Sequence, residues 1–221
     1  MRSSRIGVLA LVGTAILPFA LAGQTCLGMR SDRGGGVQIP LAWVAQDGGE
    51  GTSAWSGGIG GWVAPTAALR VGADWRYRDF RASERGMHDL GAAVELVADR
   101  PLRPCLTVEG RGAFASGLAT DERFRGYGFS AGLGIAAETG SGDVRFIPFV
   151  VGRFAVAGTD AALFGFDYTE SGVGGGLDAG ATLWLRQVGL RVVGRRLWLD
   201  DDLGPHALGD RTFGITLLVA F

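Results

Sequence analysis

Leu69-Arg70-Val71-Gly72-Ala73-Asp74-Trp75-Arg76-Tyr77-Arg78 is the stretch that decides the fold. Successive side chains of an extended strand point to opposite faces. Leu69, Val71, Ala73, Trp75 and Tyr77 therefore share one face, and Arg70, Asp74, Arg76 and Arg78 share the other. A strand with five apolar residues on one side and four charges on the other does not meet a soluble core on both sides.

The same period of two recurs along the chain. Val37, Ile39, Leu41 and Trp43 enclose Gln38, Pro40 and Ala42, and Trp55 to Val63 follows as a second strand. Leu90 to Leu96 alternates with Gly91, Ala93 and Glu95; Leu106, Val108 and Phe114 oppose Thr107, Glu109 and Arg111. Tyr127 to Ile135, Val173 to Leu183, Val188 to Val192 and Phe213 to Phe221 repeat the pattern. Val144 to Val156 is less regular, because Phe149 and Val151 fall on the face that Arg145 and Arg153 mark as polar. The count predicts ten strands, with eight as the alternative.

Connections alternate in kind. Pro65 to Ala67, Asp99 to Pro104, Thr139 to Asp143 and Arg186 to Gly189 are tight. Longer polar stretches intervene: Asp47 to Ser53, Asp79 to Asp89, Ala115 to Gly126, Gly158 to Gly172 and Asp200 to Arg211. Short turns at one rim and long loops at the other is the arrangement of a transmembrane barrel, with periplasmic turns and external loops. The fold class predicted is all-β: a single antiparallel transmembrane β-barrel over residues 37–221.

Residues 1–22 have a basic start, an apolar run from Ile6 to Leu17 and the small residues Ala20-Leu21-Ala22, the pattern of a cleaved secretory signal. Residues 23–36 are then a periplasmic N-terminal segment. Lipidation at Cys26 is disfavoured because three residues separate it from the expected cut. Charged residues make up only 19% of the chain, below the roughly 25% usual in soluble domains, as a lipid-facing wall requires. The formal net charge of −1 argues against a nucleic-acid partner. Every one of the 21 basic residues is Arg, so each cation is a planar fork suited to carboxylate pairing.

Trp43, Trp55, Trp75, Tyr77, Phe114, Tyr127, Phe129, Trp198 and Phe213 fall near long-loop strand ends, an aromatic girdle of the kind found at a membrane interface. Trp62 and Trp184 take the opposite parity near short turns and stay unassigned. With the leader, the amphipathic strands and the ending Phe213-Gly-Ile-Thr-Leu-Leu-Val-Ala-Phe221, the chain resembles the small outer-membrane β-barrel proteins of Gram-negative-type bacteria. The resemblance implies an outer-membrane location, a surround of outer-membrane lipid, and engagement of the barrel-assembly machinery through Leu217, Val219 and Phe221. Thr216 stands where a glycine is common, with Gly214 nearby.

By parity the lumen receives Arg70, Asp74, Arg76, Arg78, Glu95, Glu109, Arg111, Glu138, Arg145, Arg153, Asp178, Arg191 and Arg195. A ten-stranded barrel is barely wider than those whose interiors side chains fill. The expectation is an internal ion-pair network; the competing reading is a narrow anion-favouring conduit, since the arginines outnumber the acids. Two cysteines in an exported chain suggest one disulfide. Cys105 is expected at the short-turn end pointing inward, and the segment from Cys26 to Gly36 is long enough to bring Cys26 to it, drawing the N-terminal segment across that mouth.

No catalytic residues, metal site or cofactor are assigned. His88-Asp89, and His206 with Asp200 to Asp202 and Asp210, could be drawn as acid–base sites but lie in expected loops. Asp200-Asp201-Asp202 reads as a solvated acidic loop, and Gly174-Gly175-Gly176 follows no strand-to-helix switch, so it is not a phosphate loop. The leading expectation is a structural or surface-interaction protein whose external loops meet an unknown extracellular ligand. An anion channel is second and a surface protease or lipid-modifying enzyme third.

Overall fold

The structure, a computed structural model, describes residues 26–29, 34–45, 53–79, 86–98, 102–116, 122–141, 143–163, 166–199, 208 and 211–221. The expected leader, His206, Asp200 to Asp202 and Asp210 lie outside these. The described residues are strands and their turns: β1 (Gly34–Ala45), β2 (Ser53–Ala64), β3 (Leu69–Asp79), β4 (Gly86–Val97), β5 (Leu102–Ser116), β6 (Arg123–Ala137), β7 (Thr139–Ser141), β8 (Val144–Leu163), β9 (Phe166–Leu185), β10 (Val188–Leu199) and β11 (Arg211–Ala220).

Strands consecutive in sequence pair antiparallel, except that β6 pairs with β8, and β1 pairs with β11, so the sheet closes. The short β7 continues the course of β6 alongside β8. The wall therefore has ten strands. Leu69, Val71, Ala73, Trp75 and Tyr77 of the deciding stretch face outward, while Arg70 and Arg78 are buried inside. Elsewhere the outer face is equally apolar: Leu133 is 72% exposed and Ile59 55%, with no element of the described residues covering them.

The turns at one rim are tight. Thr66 Oγ1 accepts from the N–H groups of Ala68 (3.3 Å) and Leu69 (3.1 Å), which closes the β2–β3 turn. Between β9 and β10 only Arg186 and Gln187 intervene, with Arg186 in the left-handed region (φ 56°) that two-residue hairpins require.

Strand extends into two of the expected loops. Residues 158–163 belong to β8 and 166–172 to β9, paired as far as Leu163 opposite Phe166. Met87, His88 and Asp89 belong to β4, where His88 sits opposite Tyr77. Above the apolar belt the outward residues no longer need to be hydrophobic, so alternation fades while the hydrogen-bond ladder continues.

Candidate functional site

The interior is layered. At the short-turn end lies an apolar cluster of Trp62, Val97, Ala136, Ile147, Phe149, Val151, Trp184 and Leu218, together with Cys26, Leu27 and Met29 of the N-terminal segment. Phe149 and Val151, which looked misplaced on a polar face, belong to this layer.

Cys26 is joined to Cys105 by a disulfide, with Cα atoms 6.3 Å apart and both residues buried. The segment is also held by polar contacts: Leu27 N–H donates to Glu95 Oε1 (3.2 Å), and Arg191 Nη2 donates to the Cys26 carbonyl (3.4 Å). Gly28 makes the turn possible. Its φ of +78° is left-handed, and a Cβ there would lie 2.7 Å from both Arg191 Cδ and Thr182 Oγ1. Arg191 also lies 4.9 Å over the Phe149 ring, so this cation rests on an aromatic face. Arg70 and Glu95, directly opposed on β3 and β4, are fully buried in the same region.

The middle layer is charged and paired. Arg76 Nε donates to Asp74 (2.6 Å), and Arg111 Nη2 donates to both Asp74 oxygens (2.9 and 3.1 Å). Arg111 also approaches Glu109 (3.9 Å). Glu109 accepts from Arg195 Nη2 at 2.7 Å, while Arg195 Nε donates to Asp178 at 2.9 Å. Arg153 completes the chain, donating to Asp178 (2.6 Å) and to Ser130 Oγ (3.1 Å). Carboxylates from β3, β5 and β9 are thus bridged by arginines from β3, β5, β8 and β10, crossing the lumen from wall to wall.

Other charges separate from this network. Arg78 pairs with Asp89 at 2.6 Å nearer the long-loop rim. Glu138 and Arg145 stand at the short-turn rim, where Glu138 meets Arg103 (2.9 Å) and Arg145 (3.8 Å). Asp89, read with His88 as a loop pair, and Arg103 and Ser130 were absent from the expected lumen set. Extending the alternation of β4 and β5 one step outward would have found Asp89 and Arg103.

His88 and Asp89 cannot act as an acid–base pair, because they face opposite sides of the wall. Asp89 is buried inside; His88 stacks outside between Trp75 (5.8 Å) and Phe114 (5.1 Å), with Tyr77 at 5.2 Å. Glu95 lies within 4.8 Å of the sulfurs of Cys26 and Cys105, but these sulfurs are bonded to each other rather than available as two thiolate ligands.

Toward the long loops the interior is apolar again. Met87, Ala113, Phe124 and Ala161 form one cluster, and Ala155, Ala157, Leu197 and Leu208 another. Leu208, from the segment between β10 and β11, reaches inside against Gly128. A cavity of about 80 Å³ remains between the β1–β11 wall and the arginines, with Arg76, Arg78, Arg191 and Arg195 among its lining. It has room for a few waters rather than an organic solute.

Leu217, Val219 and Phe221 all point outward on the closing strand, and Phe221 exchanges backbone hydrogen bonds with Gly35 (3.0 and 3.3 Å).

No family model and no curated protein matches the chain. Among solved structures it is similar to Salmonella typhi OmpF in complex with daunomycin, at 9% identity and a TM-score of 0.26, covering 85% of this chain and 97% of that one. It is also similar to CdiB from Acinetobacter baumannii, at 7% identity and a TM-score of 0.26, covering 86% of this chain and 60% of the CdiB chain.

Proposed function

We propose that the chain is an outer-membrane barrel with a sealed lumen, acting as a structural or surface-interaction protein through its long-loop rim. One observation carries this reading: the outer wall is apolar while the ion pairs lie inside, the reverse of a water-soluble barrel. A closed ladder satisfies every wall strand within the hydrocarbon, where open edges are not tolerated. Outer-membrane lipid then surrounds the belt, the assembly machinery engages the strand ending at Phe221, and the loops meet an extracellular ligand.

The apolar layers above and below the charges support a closed lumen. A narrow anion-favouring channel is the second reading, favoured by the excess of arginines over acids inside. Detergent-extracted protein is expected to migrate faster unboiled than boiled and to resist protease except at its loops. Single-channel recording on the same material separates the two readings: silence fits the sealed lumen, and steady anion-selective conductance overturns it.

A further inference from the structure

One part of the lumen wall is uncharged where its surroundings are not. On the closing seam β11 turns Thr212, Gly214 and Thr216 inward, and β1 sets Val44, Ala42 and Pro40 opposite them. On the other side of β11 stands β10, whose Arg195 and Arg191 are the cross-strand partners of Thr212 and Thr216. Gly214 lies midway between these two pairs, beside Val193. With no side chain at Gly214 the wall recedes, and the cavity of about 80 Å³ opens between the seam and the guanidiniums of Arg76, Arg111, Arg191 and Arg195.

The charges around this cavity do not balance. Arg76, Arg111, Arg153, Arg191 and Arg195 stand against Asp74, Glu109 and Asp178, five guanidiniums against three carboxylates. Asp74 and Asp178 each serve two arginines, and Arg191 enters none of these ion pairs. Its contacts are with neutral groups, the Cys26 carbonyl and the Phe149 ring. Two donors remain: Arg111 Nη1 and Arg191 Nε are buried with no hydrogen-bond partner among the described residues, and both side chains line the cavity. Arg111 is only 8% exposed, so bulk water does not serve it.

A guanidinium donates and never accepts. A buried donor without a partner loses its hydration uncompensated, and a buried charge without a counter-charge is costlier still. A negatively charged acceptor answers both deficits through charge-assisted hydrogen bonds. The cavity suits a few waters in volume, so it suits a monatomic ion and excludes an organic one. Asp89 and Glu109 also line it and repel a multiply charged oxyanion more strongly than a single charge.

We propose that this cavity holds one small monovalent inorganic anion, chloride in size and charge, as a resident part of the folded lumen. The ion accepts from Arg111 and Arg191, Arg76 and Arg195 add positive charge around it, and the Thr212 and Thr216 hydroxyls face it from the seam. The proposal rests on the reading of the lumen as sealed, since the ion is held and not conducted.

The test begins with the full chain refolded into detergent in bromide, crystallised, and searched for anomalous scattering at the bromine edge. One peak is expected in this cavity, in contact with Arg111 or Arg191. Urea unfolding of the same barrel is then compared in chloride and in gluconate, an ion too large for the cavity, at equal ionic strength. Chloride is expected to lower the unfolding constant roughly tenfold, the effect of a ligand at about ten times its dissociation constant that binds only the folded state. Arg111→Gln and Gly214→Val are each expected to remove the peak and the chloride dependence. The second variant keeps every charge and the faster unboiled migration, because a Cβ at Gly214 meets Ala42 Cβ at 3.4 Å and Val193 Cγ1 at 3.6 Å, ordinary contacts. A wild-type lumen without bromide, equal unfolding in the two salts, or chloride dependence that survives in Gly214→Val overturns the proposal. Phosphate stabilising as well as chloride overturns the assignment to a monovalent ion. Steady anion-selective conductance overturns the sealed lumen and a resident ion with it, whereas a silent barrel without bromide fails the site alone.

Discussion

Trp62 and Trp184 meet edge to face across the short-turn end of the lumen, with ring centroids 6.5 Å apart and planes at 69°. Both are buried, and they pack with Ile147, Phe149 and Leu218 into a layer that separates the charged middle from that mouth. Edge-to-face pairs add to the area term already gained by burying two indoles.

Trp184→Ala is therefore expected to cost about 3–5 kcal/mol, the range for deleting a large buried aromatic. Equilibrium urea unfolding of the refolded barrel in vesicles measures it. A loss below about 1 kcal/mol, the scale of an ordinary surface change, would mean the layer is not packed as described.

Cys105→Ser is expected to free the N-terminal segment without opening the wall, since no ladder hydrogen bond depends on the bridge. Stability should fall by about 2–4 kcal/mol. Peptide mapping of the non-reduced wild type should recover Cys26 joined to Cys105, and the variant should become cleavable near Leu27 by protease admitted to the short-turn side. Two free thiols in the wild-type barrel would count against the tether.

Arg195→Gln removes the group shared by Glu109 and Asp178. Breaking a buried pair leaves uncompensated charge, and a loss of about 3–5 kcal/mol is expected. Buried pairs are screened little by salt, so the difference from wild type should change little between about 0.1 M and 1 M salt. A strongly salt-dependent difference would place these groups in open water.

Leu133 and Gly132 test the two faces of one strand. Leu133→Arg puts a charge on the outer wall and is expected to cost about 2–4 kcal/mol near mid-depth. Gly132→Arg acts differently: a Cβ there lies 2.7 Å from Val151 Cγ1 and 2.9 Å from Thr107 Oγ1, so it crowds the lumen. Moving the host vesicles from thin to thick bilayers should change the first penalty and leave the second unaltered.

Much of the wall was legible because a strand exposed to unlike media on its two faces writes that difference at every second residue. The stretch from Leu69 to Arg78 gave its inward and outward sets directly. Two things were not legible. Parity says which face a side chain takes but not its height, so the separation of Trp62 and Trp184 from Asp74 and Glu109 into layers had no sequence signature. Strand persistence above the apolar belt was also hidden: Thr159, Asp160, Thr169 and Glu170 read as loop, although their backbones remain paired.

The closing seam carries a kinetic consequence. Gly36 pairs with Ala220, so the first strand waits for the last, and the contact that completes the ring is among the most distant in sequence. Contacts of that separation form slowly, because the intervening chain must be confined before they contribute. Until β11 arrives, β1 and β10 present two free edges, each a template for pairing with another copy. The hazard to this molecule is thus one of timing: a nascent chain delayed before Arg211 carries nearly all of its hydrophobic wall with no ring to close it, and its yield should depend on how fast the final strand is supplied.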